Sequence, residues 1–112
     1  DHNKNFSFLM DDDGHWHVAP TYDYTFSVDP DAPYYVNRHS MTINNRTEGI
    51  TAADLLEVAR RYGIKAAEPF IEKAIGIVSR YPEYGREAGV GEEWIGTIEK
   101  EIAARVECVR AD

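Results

Sequence analysis

The chain has a single cysteine, Cys108, among its 112 residues, which rules out an internal disulfide and suits a reducing cytoplasm. It also has no excess of basic charge. Twelve Lys and Arg face 20 Asp and Glu, and the net charge of −8 argues against nucleic-acid or anionic-membrane binding through bulk electrostatics. No apolar run approaches the ~20 residues that a membrane span needs. There is no N-terminal signal pattern and no initiating Met, which points to truncation or processing. Internal repeats and low-complexity tracts are absent as well. What remains is a composition of 43% hydrophobic and 29% charged residues, that of a soluble globular chain long enough for one real core.

The chain is organised around its first 23 residues. Phe6-Ser7-Phe8-Leu9-Met10 and His15-Trp16-His17-Val18-Ala19 are rich in strand formers, and Asp11-Asp12-Asp13-Gly14 between them has turn chemistry. Closing the turn over Asp12-Asp13 pairs Met10 with His15 and sets Asn5 opposite Pro20. In that register Phe6, Phe8, Met10 and Ala19 share a face with the two histidines, while Leu9, Trp16 and Val18 line the other. Both faces are apolar, so the hairpin is expected to be sandwiched inside a lobe. Asp23 lies three residues past the ladder, roughly 10 Å of chain at strand rise. A bend at Thr21-Tyr22 then brings Asp23 back to Asn5.

An Asn and an Asp joined by a short hairpin is how protein kinases hold the metal that carries ATP. The base there is an Asp five residues before the Asn. Asp1 is only four residues before Asn5, so the base is expected just before residue 1. With Lys4-Asn5-Phe6-Ser7-Phe8-Leu9, Pro20-Thr21-Tyr22-Asp23 and His39-Ser40-Met41-Thr42-Ile43-Asn44, the chain resembles the C-terminal lobe of HipA-type serine/threonine kinases, toxins of bacterial toxin–antitoxin pairs. The resemblance runs from residue 1 to about residue 106. Of the family's Asp-x-His-x-Lys-Asn segment only the last five positions are here, as Asp1-His2-Asn3-Lys4-Asn5.

This resemblance implies a fragment of a longer enzyme, inactive alone, whose parent transfers the ATP γ-phosphate to a protein hydroxyl. It implies Mg²⁺ on Asn5 and Asp23, and a nucleotide site that includes His2, Asn3, Lys4, Asn5, Tyr22 and Asp23. It also implies a DNA-binding antitoxin as partner and a translation-related protein substrate. Direct contact with nucleic acid or membrane is not expected.

Beyond the hairpin, residues 24–50 have no clear period and stand where a kinase has its activation segment. Asp29-Pro30-Asp31-Ala32-Pro33 and Asn44-Asn45-Arg46 are turn-forming, and Tyr34-Tyr35-Val36 and Ser40-Met41-Thr42-Ile43 are candidate short strands. From residue 51 the pattern is helical. Thr51-Ala52-Ala53-Asp54 is a capping box with Ile50 and Leu55 as its staple, and Gly63 closes the first helix. A second helix is expected from Ala66 to Arg80, stopped by Pro82, with Pro69 tolerated in its first turn. One extra turn is expected over 84–89. The last helix, Glu92 to Val109, buries Ile95, Ile98, Ile102, Val106 and Val109. Ile71, Ile75, Ile98 and Ile102 are expected among the most buried residues. The fold class is therefore α+β, mainly helical, a kinase C-lobe-like single domain with an N-terminal hairpin and about three amphipathic helices. Its parts are residues 1–23, 24–50 and 51–112.

Other residues are weighed against plainer roles. Asn5 and Asp23 also suit strand and turn caps. His15 and His17, two apart on a strand, offer a transition-metal site with Asp13, but facing Phe8 and Met10 they are better read as packing or surface residues. Asp11-Asp12-Asp13-Gly14 lacks the ligand spacing of a Ca²⁺ loop. Ser40 and Thr42 are candidate phospho-acceptors, or exposed hydroxyls. Cys108 has nothing near it to activate a thiol. The competing function is a non-catalytic module, a helical surface for an antitoxin or for a second copy of the chain.

Overall fold

Threonine 51 sets the start of the helical half. Its side chain accepts from the Asp54 N–H, and the Asp54 carboxylate accepts from the Thr51 N–H at 3.0 Å, so a reciprocal capping box opens α1 (Ala52–Arg61). Tyr62 caps the other end, and Gly63 at φ 65° lets its own N–H reach the Arg60 carbonyl while Ile64 N–H reaches Ala59. In this computed structural model residues 5–29, 31–33 and 38–111 are described. They fall into two compact units, Asp1–Thr42 and Ile43–Asp112.

The second unit carries four helices: α1, α2 (Ala67–Val78), α3 (Tyr81–Glu87) and α4 (Glu92–Arg110). The α+β, mainly helical class holds, with one helix more than the periodicity suggests. Pro69 does lie in the first turn of α2, but Ala66 stands outside that helix in left-handed backbone at φ 56°. Pro82 is placed differently from the expectation. The second helix has already ended at Val78, and Pro82 sits in the first turn of α3, where its missing N–H has no helical partner to lose. What reads as a single extra turn is thus a seven-residue helix, closed by Gly89 at φ 76°.

Helix α1 packs on α2, and α3 on α4. The apolar centre is Ala59, Ile75 and Ile95, with Ile95 only 1% exposed. Gly85 is what lets α4 come so close. A Cβ there would stand 3.1 Å from Ile95 Cγ1 and 3.3 Å from Cδ1, so any larger residue displaces the isoleucine. Of the four isoleucines expected to be most buried only Ile75 is. Ile71, Ile98 and Ile102 are half-buried, because among the described residues the stripes of α2 and α4 are only partly covered.

Just before α1, Ile43 and Arg46 pair through two backbone hydrogen bonds of 2.9 Å across Asn44-Asn45. Both asparagines take positive φ, 49° and 63°, as a tight two-residue turn of the I′ kind requires. The turn at 44–46 is thus present, as is the one at Asp29, whose carboxylate accepts from the Asp31 N–H at 3.0 Å. Of the strand expected at Ser40-Met41-Thr42-Ile43 only Ile43 is paired. The strand expected at Tyr34-Tyr35-Val36 lies outside the described residues.

Asp54 ties the asparagine turn to the helix. It is buried, accepts from the Asn44 amide at 2.8 Å and faces the Arg46 guanidinium at 3.5 Å. The Asn44 amide first, then the Thr51 N–H, hold its carboxyl below the usual 3.8. A depressed native pKa means that the carboxylate stabilises the fold above the ordinary value, and that this contribution is lost as pH falls through the native pKa. Asp54→Asn is therefore expected to lower the melting temperature at neutral pH. The gap to wild type should close as the pH is taken below the native pKa, where wild type is itself protonated. A gap of equal size at every pH would contradict this role.

Candidate functional site

The first unit is built on an antiparallel pair, β1 (Phe8–Met10) and β2 (Trp16–Val18), in the register Phe8↔Val18, Leu9↔His17 and Met10↔Trp16. This differs by one residue from the register expected from the sequence. The cause is in the turn. Asp11 is itself paired, its N–H donating to the His15 carbonyl at 2.9 Å, which leaves a three-residue loop, Asp12-Asp13-Gly14. Gly14, at φ 84°, supplies the left-handed position that such a loop needs. Asp11 Oδ1 holds it shut by accepting from the N–H groups of Asp13 at 3.1 Å and His15 at 2.8 Å.

A one-residue slip exchanges the faces of a strand. Phe8, Met10, Trp16 and Val18 therefore share one face, and the histidines lie with Leu9 and Asp11 on the other, away from Phe8 and Met10. The expectation that the histidines pack on Phe8 and Met10 is overturned. So is the sandwiched hairpin: Phe6, Phe8, Leu9, Met10, Trp16 and Val18 are all exposed.

The open end of the hairpin carries Asn5 and Asp23. In this register Asn5 lies level with Thr21 and not Pro20, so Asp23 is only two residues further on. Its own backbone makes the bend, at φ 50°, a conformation Asp tolerates better than most residues. The expected bend at Thr21-Tyr22 is thus moved to Asp23 itself. The two side chains meet, with Asn5 Nδ2 3.2 Å from Asp23 Oδ2 and 3.3 Å from the Asp23 carbonyl oxygen. Asn5 is half-buried, and Tyr22 and Asp23 are exposed. Asp1, His2, Asn3 and Lys4 lie outside the described residues.

The donor set fits a small hard cation. Mg²⁺ takes oxygen ligands at ~2.1 Å in octahedral array, which sets adjacent ligands about 3 Å apart. Asn5 Nδ2 and Asp23 Oδ2 stand 3.2 Å apart in a hydrogen bond, close to that separation. A half-turn of the amide exchanges Nδ2 for Oδ1 at the same place.

Elsewhere the candidates are plainer. Ser40 and Thr42 are exposed, and Cys108 is a free, half-buried thiol on α4. Asp11 is a residue that the sequence pattern does not single out. Its Oδ2 lies 2.9 Å from His17 Nε2 and 3.4 Å from His15 Nδ1, and the His17 contact is the main reason why its carboxyl titrates below the usual 3.8. The signal was available in the spacing of an Asp four and six residues before two histidines across a glycine turn.

Among the described residues no helix is long and apolar enough to cross a membrane. The family model described as the HipA-like C-terminal domain matches residues 1–83, well over half of the chain. No curated protein and no solved structure matches it.

Proposed function

Because the chain belongs to the HipA-like C-terminal domain family, we propose that it is the C-terminal portion of a serine/threonine protein kinase and carries that enzyme's metal-binding pair. The observation that carries this reading is the convergence of Asn5 and Asp23 at the open end of the hairpin. Asp23 would provide the charge and Asn5 Oδ1 a neutral second ligand for Mg²⁺. A Mg²⁺ held there would neutralise the phosphate charge of ATP. The residues of this chain orient that charge sink. By family resemblance, Lys4 would add a point charge on phosphate, and His2, Asn3 and Tyr22 would contact the nucleotide.

The family context also suggests an antitoxin that binds DNA as the partner protein. The part matched is a C-terminal domain, and the parts of a kinase that cover the nucleotide belong to another lobe. Positioning and electrostatics supply nearly all of phosphoryl-transfer catalysis, so the 112-residue chain by itself is expected to be inactive. The test uses γ-labelled ATP and Mg²⁺ with two proteins. The longer product of the encoding reading frame should label serine or threonine, and the isolated chain should stay at background. Turnover by the isolated chain that Asp23→Ala abolishes would overturn this and make Asp1 the base. A longer product that binds a partner protein but never labels would favour the interaction module.

A further inference from the structure

The far end of the hairpin holds a second set of ligands. Asp11, Asp13 and His15 each offer one atom within 4.8 Å of the others, and His17 Nε2 adds a fourth group 2.9 Å from Asp11 Oδ2. We propose that this turn is a binding site for a zinc-class divalent cation, held by His15, Asp11 and Asp13 with His17 beside them. The proposal stands independently of any kinase activity.

Two imidazoles facing one carboxylate oxygen is the observation that carries it. Strand geometry puts His15 and His17 on one face, and the one-residue change of register puts Asp11 on that face with them. Asp11 is pre-set for the task. Its Oδ1 is occupied by two backbone N–H groups, which fixes Oδ2 toward the histidines. The spacing suits the cation. Ligands at ~2.0–2.1 Å in tetrahedral array stand about 3.3 Å apart. Asp11, Asp13 and His15 offer atoms within 4.8 Å of one another, and Asp11 Oδ2 lies 3.4 Å from His15 Nδ1 and 2.9 Å from His17 Nε2, close enough for one cation to draw them in. The donor chemistry selects the metal. Neutral imidazole is a poor ligand for Mg²⁺ or Ca²⁺, which prefer oxygen, whereas mixed imidazole and carboxylate suits zinc and its neighbours. Both rings are exposed, so water can complete the shell and a cation can enter without opening the fold.

The test is calorimetric titration of the untagged chain with Zn²⁺ in a non-chelating buffer, with the imidazole resonances followed by NMR. One Zn²⁺ per chain is expected, shifting the signals of both His15 and His17. Loss of a ligand in His15→Gln or Asp11→Asn should weaken binding about tenfold or more. His17→Gln, which leaves the turn's backbone bonds alone, guards against reading a disturbed turn as a lost ligand, and should weaken binding as well. Asp23→Asn should bind Zn²⁺ like wild type, which separates this site from the pair at the open end. An absence of binding below millimolar Zn²⁺, or binding that His15→Gln and His17→Gln leave unchanged, would overturn the proposal.

Discussion

In the proposed kinase, replacing Asp23 by Asn is expected to abolish phosphoryl transfer while leaving the fold intact. The substitution keeps the shape of the side chain, can still accept a hydrogen bond from Asn5, and tolerates the φ of 50° that this position requires. What it removes is the one formal negative charge of the pair. A metal stabilises transferring phosphate by several kcal/mol, and each ~1.4 kcal/mol is a factor of ten in rate. A loss on the order of a thousandfold or more follows. Thermal melts of the variant should overlay those of wild type. Wild-type rates in Asp23→Asn would remove the metal role from this residue.

The largest effect on stability is expected at Ile95. It is 1% exposed, and it fills the space that Gly85 leaves between α3 and α4. Truncation loses the transfer energy of the removed carbons and leaves a cavity, so Ile95→Ala should cost ~2–5 kcal/mol. Ile98→Ala, one turn along but half-buried, should cost less. Denaturant unfolding of the two variants decides this, and a larger loss at Ile98 would mean that α4 docks through another face.

The helices were the legible part. Over α1 and α4 the apolar period runs for many residues, and a capping box or a glycine marks one end, so the boundaries follow from the sequence. The α2–α3 junction was less so, because Pro82 can as well begin a helix as stop one, and only the ending of α2 at Val78 distinguishes the two. Along α4 periodicity gives the inward face but not which residue meets a glycine, so Ile95 and not Ile98 or Ile102 is the buried one. The hairpin was legible in place and not in register. Its strands are three residues each, too short for alternation to fix the pairing, and the decision fell to the Asp11 side chain, which captures two N–H groups and lengthens the loop pairing by one. The same detail brought the histidines to Asp11 and displaced the bend to Asp23. That Asn5 and Asp23 meet survives the shift because chain length alone keeps Asp23 within reach.

The central claim is that Asn5 and Asp23 together hold the divalent cation of a nucleotide. Its most direct measurement is Mn²⁺ binding, followed by electron paramagnetic resonance, to the proposed kinase in the presence of ATP. Wild type should hold Mn²⁺ tightly, and Asn5→Ala and Asp23→Asn should each weaken it about tenfold or more, in line with the loss of a metal ligand. Mn²⁺ held equally well by all three proteins would contradict the claim.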